Sequence, residues 1–312
     1  MMKRRPNFEP KGVIPAVILP FFDDFEIDEA SFRSHLRDVA SVKGLSAVTI
    51  NAHSTEVGSC TFDEQKRVLE ITQDEIGDSM PIVNGVYAEG SLEAAKIAKM
   101  AADGGAASLL VFPPGPLTMG HRPEMVVDHY RRIADASGLP LIAFQYAQNS
   151  PQSYPLDTLL ELCDKVPQVR AIKDWISNPA LHNTQIQILQ SRKNPVHVLS
   201  THSAWLFSSL VLGCHGLLSG SGSVIAAFQS ELFDAINAND LVRARQLHQK
   251  ITFAADVFYA SPWVDMHNRM KEALVLMGKI PRAVVRPPLV KIHDTERAKI
   301  KQALINAGLM AA

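Results

Sequence analysis

The chain has 312 residues, 46% hydrophobic and 20% charged, and its 31 lysines and arginines nearly balance 32 acidic residues. These figures exclude a disordered or fibrous chain and leave no basic field to draw it to nucleic acid or an anionic membrane, so a small-molecule partner is expected. The three cysteines, Cys60, Cys163 and Cys214, have no C-x-x-C spacing and give neither a disulfide framework nor a zinc ribbon, which points to the reducing cytoplasm.

The opening "MMKRRPNFEP" is basic, but the apolar run Val13–Phe22 is broken by Pro15 and Pro20 and runs into "DDFE". It reads as a strand after a loose arm rather than as a signal peptide. No run approaches the ~18 apolar residues of a membrane span. Short Val/Ile/Leu-rich runs then alternate with amphipathic stretches, the pattern of βα units on a parallel sheet. Strands are expected at 12–19, 45–51, 81–86, 106–112, 139–146, 168–173, 195–200 and 216–220. Helices are expected at 28–43, 61–76, 91–103, 123–137, 155–165, 178–193, 202–212 and 223–238. Thr61 and Ser91 read as N-caps, and Gly44, Gly104 and Gly138 as C-terminal stops. Residues 240–258, 263–278 and 294–310 carry helical periodicity without a strand signal.

Eight such units predict a (β/α)8 TIM barrel over 1–238, including the short arm, followed by a helical region over 239–312. A doubly wound open sheet is the alternative, although the G-x-G-x-x-G fingerprint is missing where "LPFFDD" follows the first strand.

In a barrel, function gathers at the carboxyl ends of the strands. Those ends hold Asn51–Glu56, Pro113–Pro116, Phe144–Asn149, Lys173 and Ser200–Ser203. Lys173 closes the run "VRAIK". A lysine among apolar neighbours has its ammonium destabilised, so the neutral amine becomes available as a nucleophile. An ordinary lysine is only about 0.04% neutral at pH 7, whereas one lowered to roughly 7–8 is ~10–50% neutral. Such an amine condenses with a keto group to an imine that serves as an electron sink. The alternative is a lysine snorkelling to solvent or paired with Asp174.

Other constellations are weaker. Strand 1 ends in Leu19-Pro20 rather than H-x-H, and His53, His197, His202 and His215 show no ligand spacing, so no metal is expected. "SGSGS" (219–223) reads as a tight strand-to-helix turn beside the site, with a phosphate cradle as the alternative. Phe253, Phe258, Tyr259 and Trp263, at near-helical spacing, read as a packing face or a subunit contact.

Six segments in order, "GVIPAVILPF", "AHSTE", "AADGGAASLLVFPP", "GLPLIAFQY", "VRAIKDW" and "VLGCHGLLSG", resemble the dihydrodipicolinate synthase / N-acetylneuraminate lyase family of class I, pyruvate-type aldolases over about residues 12–290. The resemblance implies a (β/α)8 barrel with a C-terminal helical region, a homotetramer, and a Schiff-base lysine on strand 6, where Lys173 stands.

The carry-over also exposes departures. The family's G-T-T-G-E loop, which holds the keto acid's carboxylate, is Ala52-His53-Ser54-Thr55-Glu56 here. Ser54 keeps a hydroxyl at the carboxylate position. His53 replaces the relay threonine and can itself act as acid or base near its ordinary pKa of about 6.5, or stand as a hydrogen-bonded loop histidine. The family's Y-N-x-P acid/base tyrosine is replaced by Phe144, which cannot transfer a proton. Tyr146, two residues on and facing the same side, is a possible substitute. The tyrosine pair after strand 4 becomes Pro114-Gly115, and the arginine for a second carboxylate falls near Asn149. These losses argue against lysine biosynthesis.

The resulting expectation is a cofactor-independent lyase or aldolase acting on a 2-keto acid through an imine at Lys173. His53 or Tyr146 moves the proton, while Ser54, Phe144, Thr201 and Leu218 contact the substrate. The alternatives are a 2-keto-3-deoxy-sugar-acid dehydratase or hydratase-aldolase, and a member that binds a keto acid without turning it over.

Overall fold

The computed structural model describes residues 8–201 and 203–311. The expected N-terminal arm up to residue 7, and His202 at the start of one expected helix, lie outside the described residues. The strands are β1 (Gly12–Pro15), β2 (Val48–Ile50), β3 (Ile82–Val86), β4 (Ser108–Val111), β5 (Leu141–Gln145), β6 (Val169–Asp174), β7 (His197–Ser200) and β8 (Gly216–Ser219). Between and after them run α1 (Glu29–Ala40), α2 (Phe62–Ile76), α3 (Ser91–Asp103), α4 (Pro123–Ser137), α5 (Leu156–Lys165), α6 (Pro179–Gln190), α7 (Leu206–Val211) and α8 (Gly222–Asn237). The C-terminal region adds α9 (Leu241–Phe258), α10 (Met266–Leu276) and α11 (Asp294–Asn306).

Every strand pair is parallel, and β1 pairs with β8. Single bridges Val13–Leu45 and Ala16–Thr49 join β1 to β2, with the Val17 N–H donating to the Thr49 carbonyl at 3.0 Å. The sheet therefore curls back on itself as a barrel, and the open doubly wound alternative falls. Nearly every strand residue is buried, as expected of a parallel sheet jacketed by helices.

Period-two alternation then decides direction. Ile14, Leu110, Ile142, Phe144, Ala171 and Leu199 fill the barrel interior, while Val13, Leu141, Ala143 and Ile172 pack outward against the helices. Lys173 shares the parity of Ala171 and points inward, whereas Asp174 points out.

Local chemistry matches part of the sequence reading. Thr61 caps α2 in a reciprocal box: its hydroxyl accepts from Glu64 N–H at 3.2 Å and its own N–H donates to the Glu64 carboxylate at 2.7 Å. Ser91 is not the cap of α3. Gly90 is, and the Ser91 hydroxyl is engaged instead by His129 Nδ1 at 3.0 Å. Gly138 makes the expected left-handed stop after α4 at φ 65°, but after α3 the left-handed residue is Gly105 rather than Gly104, and α1 ends before Gly44. The first strand's ladder is shorter than the expected 12–19, because beyond Pro15 the chain is handed over to single bonds with Ser219 and Thr49.

The C-terminal helices are fixed to the barrel by buried charge. The Lys271 ammonium, fully buried in α10, donates to the Glu56 carboxylate and, at 2.7 Å, to the Val284 carbonyl. The other Glu56 oxygen accepts the Arg286 backbone N–H at 2.9 Å, and the Arg286 side chain pairs with Glu64. Glu56 itself sits in the left-handed region at φ 53° directly after the loop 53–55.

Candidate active site

At the carboxyl end of the barrel lies a cavity of about 220 Å³. Ala16, Ala52, His53, Ser54, Phe144, Lys173, Trp175, Thr201, Ser203 and Gly220 wall it from the barrel side. Ala255, Asp256, Tyr259, Trp263, Met266 and His267 close it from the C-terminal region.

Lys173 lies in this cavity and is 8% exposed. β5 and β6 place it directly beside Phe144, and its Nζ stands 4.1 Å from the centroid of that ring. Among the described residues it makes no ion pair or hydrogen bond through Nζ. The ring face offsets only a small part of the lost hydration, and burial pushes the amine down to about 7. The expected alternative pairing with Asp174 does not occur. Asp174 faces outward and holds His182 Nδ1 at 2.6 Å, and His182 Nε2 in turn meets the Ser209 hydroxyl at 2.6 Å. Sequence reasoning missed this Ser–His–Asp chain, because its members lie on three elements. All three residues are buried and none lines the cavity. The chain ties β6 to α6 and α7, and with the Ile176 N–H donating to Asp174 at 2.8 Å it fixes the turn that carries Trp175.

The two candidate proton carriers come together. The Tyr146 hydroxyl and His53 Nε2 are 3.3 Å apart. His53 faces the cavity, packed on Phe112 with ring centroids 4.5 Å apart, and Tyr146 stands behind it against Phe144 at 4.5 Å. Burial, with the Lys173 charge as the lesser cause, pushes the imidazole down to about 3, so it is neutral at working pH. Burial raises the Tyr146 phenol above its ordinary value. The expected histidine titration near 6.5 is therefore displaced by desolvation.

Ser54 is 2% exposed, and its Oγ, on the cavity wall, has no hydrogen-bond partner among the described residues. An unmet hydroxyl at such a depth is costly unless a ligand completes it. Thr201 lines the cavity, its N–H tied to the Asp174 carbonyl at 3.2 Å. Leu218 does not line it. Leu218 is fully buried lower in the barrel, level with Ile14, and Gly220 takes the wall position on that strand end. Asn149 is exposed and outside the wall.

The glycine-serine segment resolves to the tight turn. The Ser221 N–H is taken by the Tyr259 hydroxyl at 3.1 Å, and the Ser223 and Val224 N–H groups by the Gly220 and Ser221 carbonyls. Of the four aromatics expected to pack, Phe258 is core, but Tyr259 and Trp263 line the cavity. The break between α9 and α10 turns them inward, which helical spacing cannot reveal. His267, also missed, lines the same wall. Burial, then the charges of His53 and Lys173, push it well below its ordinary value. His197 and His215 meet instead at the opposite end of the barrel, their Nδ1 atoms 2.7 Å apart, with Glu9 3.1 Å from His197.

The model of the dihydrodipicolinate synthetase family matches residues 9–307. The 4-hydroxy-tetrahydrodipicolinate synthase of Syntrophus aciditrophicus is 28% identical over 302 residues, covering 96% of this chain and 99% of that one. The enzyme of the same name from Chlorobium phaeobacteroides is 27% identical over 304 residues, covering 96% and 98%. Among solved structures, a prophage protein of the dihydrodipicolinic acid synthase family from E. coli K12, in complex with pyruvate, superimposes with a TM-score of 0.88 at 22% identity, covering 96% and 99%. A dihydrodipicolinate synthase from Thermotoga maritima does so with 0.87 at 21%, covering 96% and 99%. The chain belongs to the dihydrodipicolinate synthetase family and is, with that family, an enzyme of the pyruvate-dependent, Schiff-base lyase type.

Proposed function

We propose that Lys173 is the imine-forming lysine and that the enzyme makes or breaks a C–C bond next to the imine of a pyruvate-type 2-keto acid. The observation that carries this is the unpaired, buried Lys173 amine in the cavity, pushed down to about 7. At that value roughly half the amine is neutral at pH 7 and able to attack a keto carbon. Ser54 receives the keto acid's carboxylate through its unpartnered hydroxyl, with Thr201 beside it and Phe144 as the floor under the imine. His53 moves the proton at the hydroxyl carbon. Its Nε2 is held by Tyr146, which fixes the tautomer and leaves Nδ1 for the substrate. No step requires a cofactor.

Incubation with pyruvate and borohydride tests this. One reduced pyruvyl group is expected on the peptide containing Lys173, and none in Lys173→Ala. Label elsewhere, or none with any keto acid, rejects the assignment. A panel of retro-aldol substrates scored by pyruvate release separates a C–C lyase from a sugar-acid dehydratase, which shares the imine but breaks a C–O bond, and from a member that binds without turnover.

The enzyme is further read as a cytoplasmic homotetramer, with 1–238 as the catalytic barrel and 239–312 as the region that closes the cavity. Free thiols at Cys60, Cys163 and Cys214 support the compartment, and the tetramer rests on the family resemblance. Sedimentation showing a monomer at micromolar concentration rejects the tetramer.

A further inference from the structure

The half of the cavity away from the imine is built from side chains that the chemistry at Lys173 leaves unused. Trp175 follows β6 directly, and its ring lies 5.2 Å from that of Trp263 at an interplanar angle of 46°. Tyr259 and Met266 extend the same wall, and the Asp256 carboxylate stands exposed at the rim. Among the described lining residues Lys173 is the only lysine or arginine, and the imine consumes it. Lys271 and Arg286 of the C-terminal region are already committed to Glu56 and Glu64.

This wall selects by chemistry. A second carboxylate on the substrate finds no cation and faces Asp256, and its desolvation is unrepaid. A polyol finds few free partners, because the Ser203 hydroxyl is engaged by Ser219 and Ser221 and the Tyr259 hydroxyl already accepts the Ser221 N–H, so most of its hydroxyls face indole and thioether surfaces. An ammonium group would be met by one indole face and the Asp256 carboxylate, so betaine aldehyde is the competing outcome that the test reads. A flat apolar group gains offset aromatic contact at 4.5–7 Å and loses little on leaving water.

We propose that the substrate half beyond the imine is an uncharged aryl aldehyde, selected by Trp175 and Trp263, with Asp256 turning away acidic aldehydes. The inference rests on the imine reading above. In the synthetic direction C3 of the Lys173-bound pyruvyl enamine attacks the aldehyde carbon and one C–C bond forms. The aldehyde oxygen takes a proton and becomes a hydroxyl, and water hydrolyses the imine. This releases the 4-aryl-4-hydroxy-2-oxobutanoate and returns the Lys173 amine, with no net oxidation or reduction.

The test supplies the full-length enzyme with pyruvate and, in turn, benzaldehyde, glyceraldehyde, succinic semialdehyde and betaine aldehyde, and measures kcat/KM for adduct formation. Benzaldehyde is expected to exceed each of the others by about tenfold or more. Trp263 is half exposed, so Trp263→Ala is expected to fold, and it should bring the benzaldehyde-to-glyceraldehyde ratio down by about tenfold. Asp256→Lys is expected to raise the rate with succinic semialdehyde several-fold. Preference for another aldehyde, no turnover of benzaldehyde, or unchanged selectivity in both variants overturns the proposal. Borohydride trapping with pyruvate alone reads the imine step separately. Trapping without aryl preference overturns only this inference, whereas no trapping removes the imine reading and this inference with it.

Discussion

Among the described residues two lysines are buried, and they are treated in opposite ways. Lys271 is fully enclosed, but its ammonium donates to the Glu56 carboxylate and the Val284 carbonyl. Lys173 is nearly as deep, lies over the face of Phe144, and among the described residues has no ion pair or hydrogen bond through Nζ. Burial pushes both amines down, yet for Lys271 the Glu56 charge opposes that push in part, while for Lys173 no charged partner does. One lysine is paired and the other is left without a partner, the state in which the proposed nucleophile is wanted, and the difference is made by their neighbours rather than by depth. The two are also linked. Glu56, held by Lys271, directly follows the loop that presents His53 and Ser54 to the cavity of Lys173.

The sharpest way to break this comparison is to remove the Lys173 amine, the proposed nucleophile. Lys173→Ala is expected to lower kcat by on the order of 10⁴-fold or more and to abolish borohydride trapping. Lys173→Met should leave Tm unchanged or higher, because it takes an unpaired polar group out of an apolar site. A marked fall in Tm would show that Lys173 has a structural partner.

The next effect concerns the proton. His53→Gln is expected to cost about 10²–10⁴-fold in kcat while leaving the imine trappable. Tyr146→Phe, which acts only through the hydrogen bond to His53, should cost less. A larger loss in Tyr146→Phe than in His53→Gln would reverse the two roles. Full activity in both single variants and in the double variant would move the proton transfer to water or substrate.

The paired lysine predicts a stability effect. Glu56→Gln leaves the Lys271 ammonium uncompensated and is expected to cost about 3–5 kcal/mol. Adding Lys271→Met to it should recover a large part of that loss in thermal or denaturant unfolding. An additive second loss would mean that the pair is not the source of the stability.

Much of this was legible in the sequence, and what was not has a physical reason. Apolar runs separated by capped amphipathic stretches carry the barrel, because both faces of each strand are buried and the pattern is local. Lys173 was legible because a lysine ending the run "VRAIK" violates that pattern. Closure through single bridges from Val13 and Ala16 was not, since it involves residues dozens of positions apart. Nor was the inward turn of Tyr259 and Trp263, because the break between α9 and α10 resets their facing and periodicity assumes a continuous helix. Lys271 and Glu56, 215 positions apart, gave no signal at all.

The smallest effect separates the two lysines by pH. In the free enzyme the amine must be neutral to attack, so kcat/KM should rise about tenfold per pH unit below about 7 and level off above it. The imidazole of His53, pushed down to about 3, does not titrate in this range, so the same rise should persist in His53→Gln. Its disappearance there would assign the rise to His53. Stability follows with a definite sign. Between about 7 and the ordinary value of 10.5, the unfolded chain holds a proton on Lys173 that the folded chain has released. Stability attributable to this residue therefore rises with pH across that window, and the penalty of burying the charge is fully felt below it. The excess of Tm in Lys173→Met over the native chain should be largest near pH 6 and narrow toward pH 10. A gap independent of pH would mean that the Lys173 amine stays charged when folded, and the contrast with Lys271 would collapse.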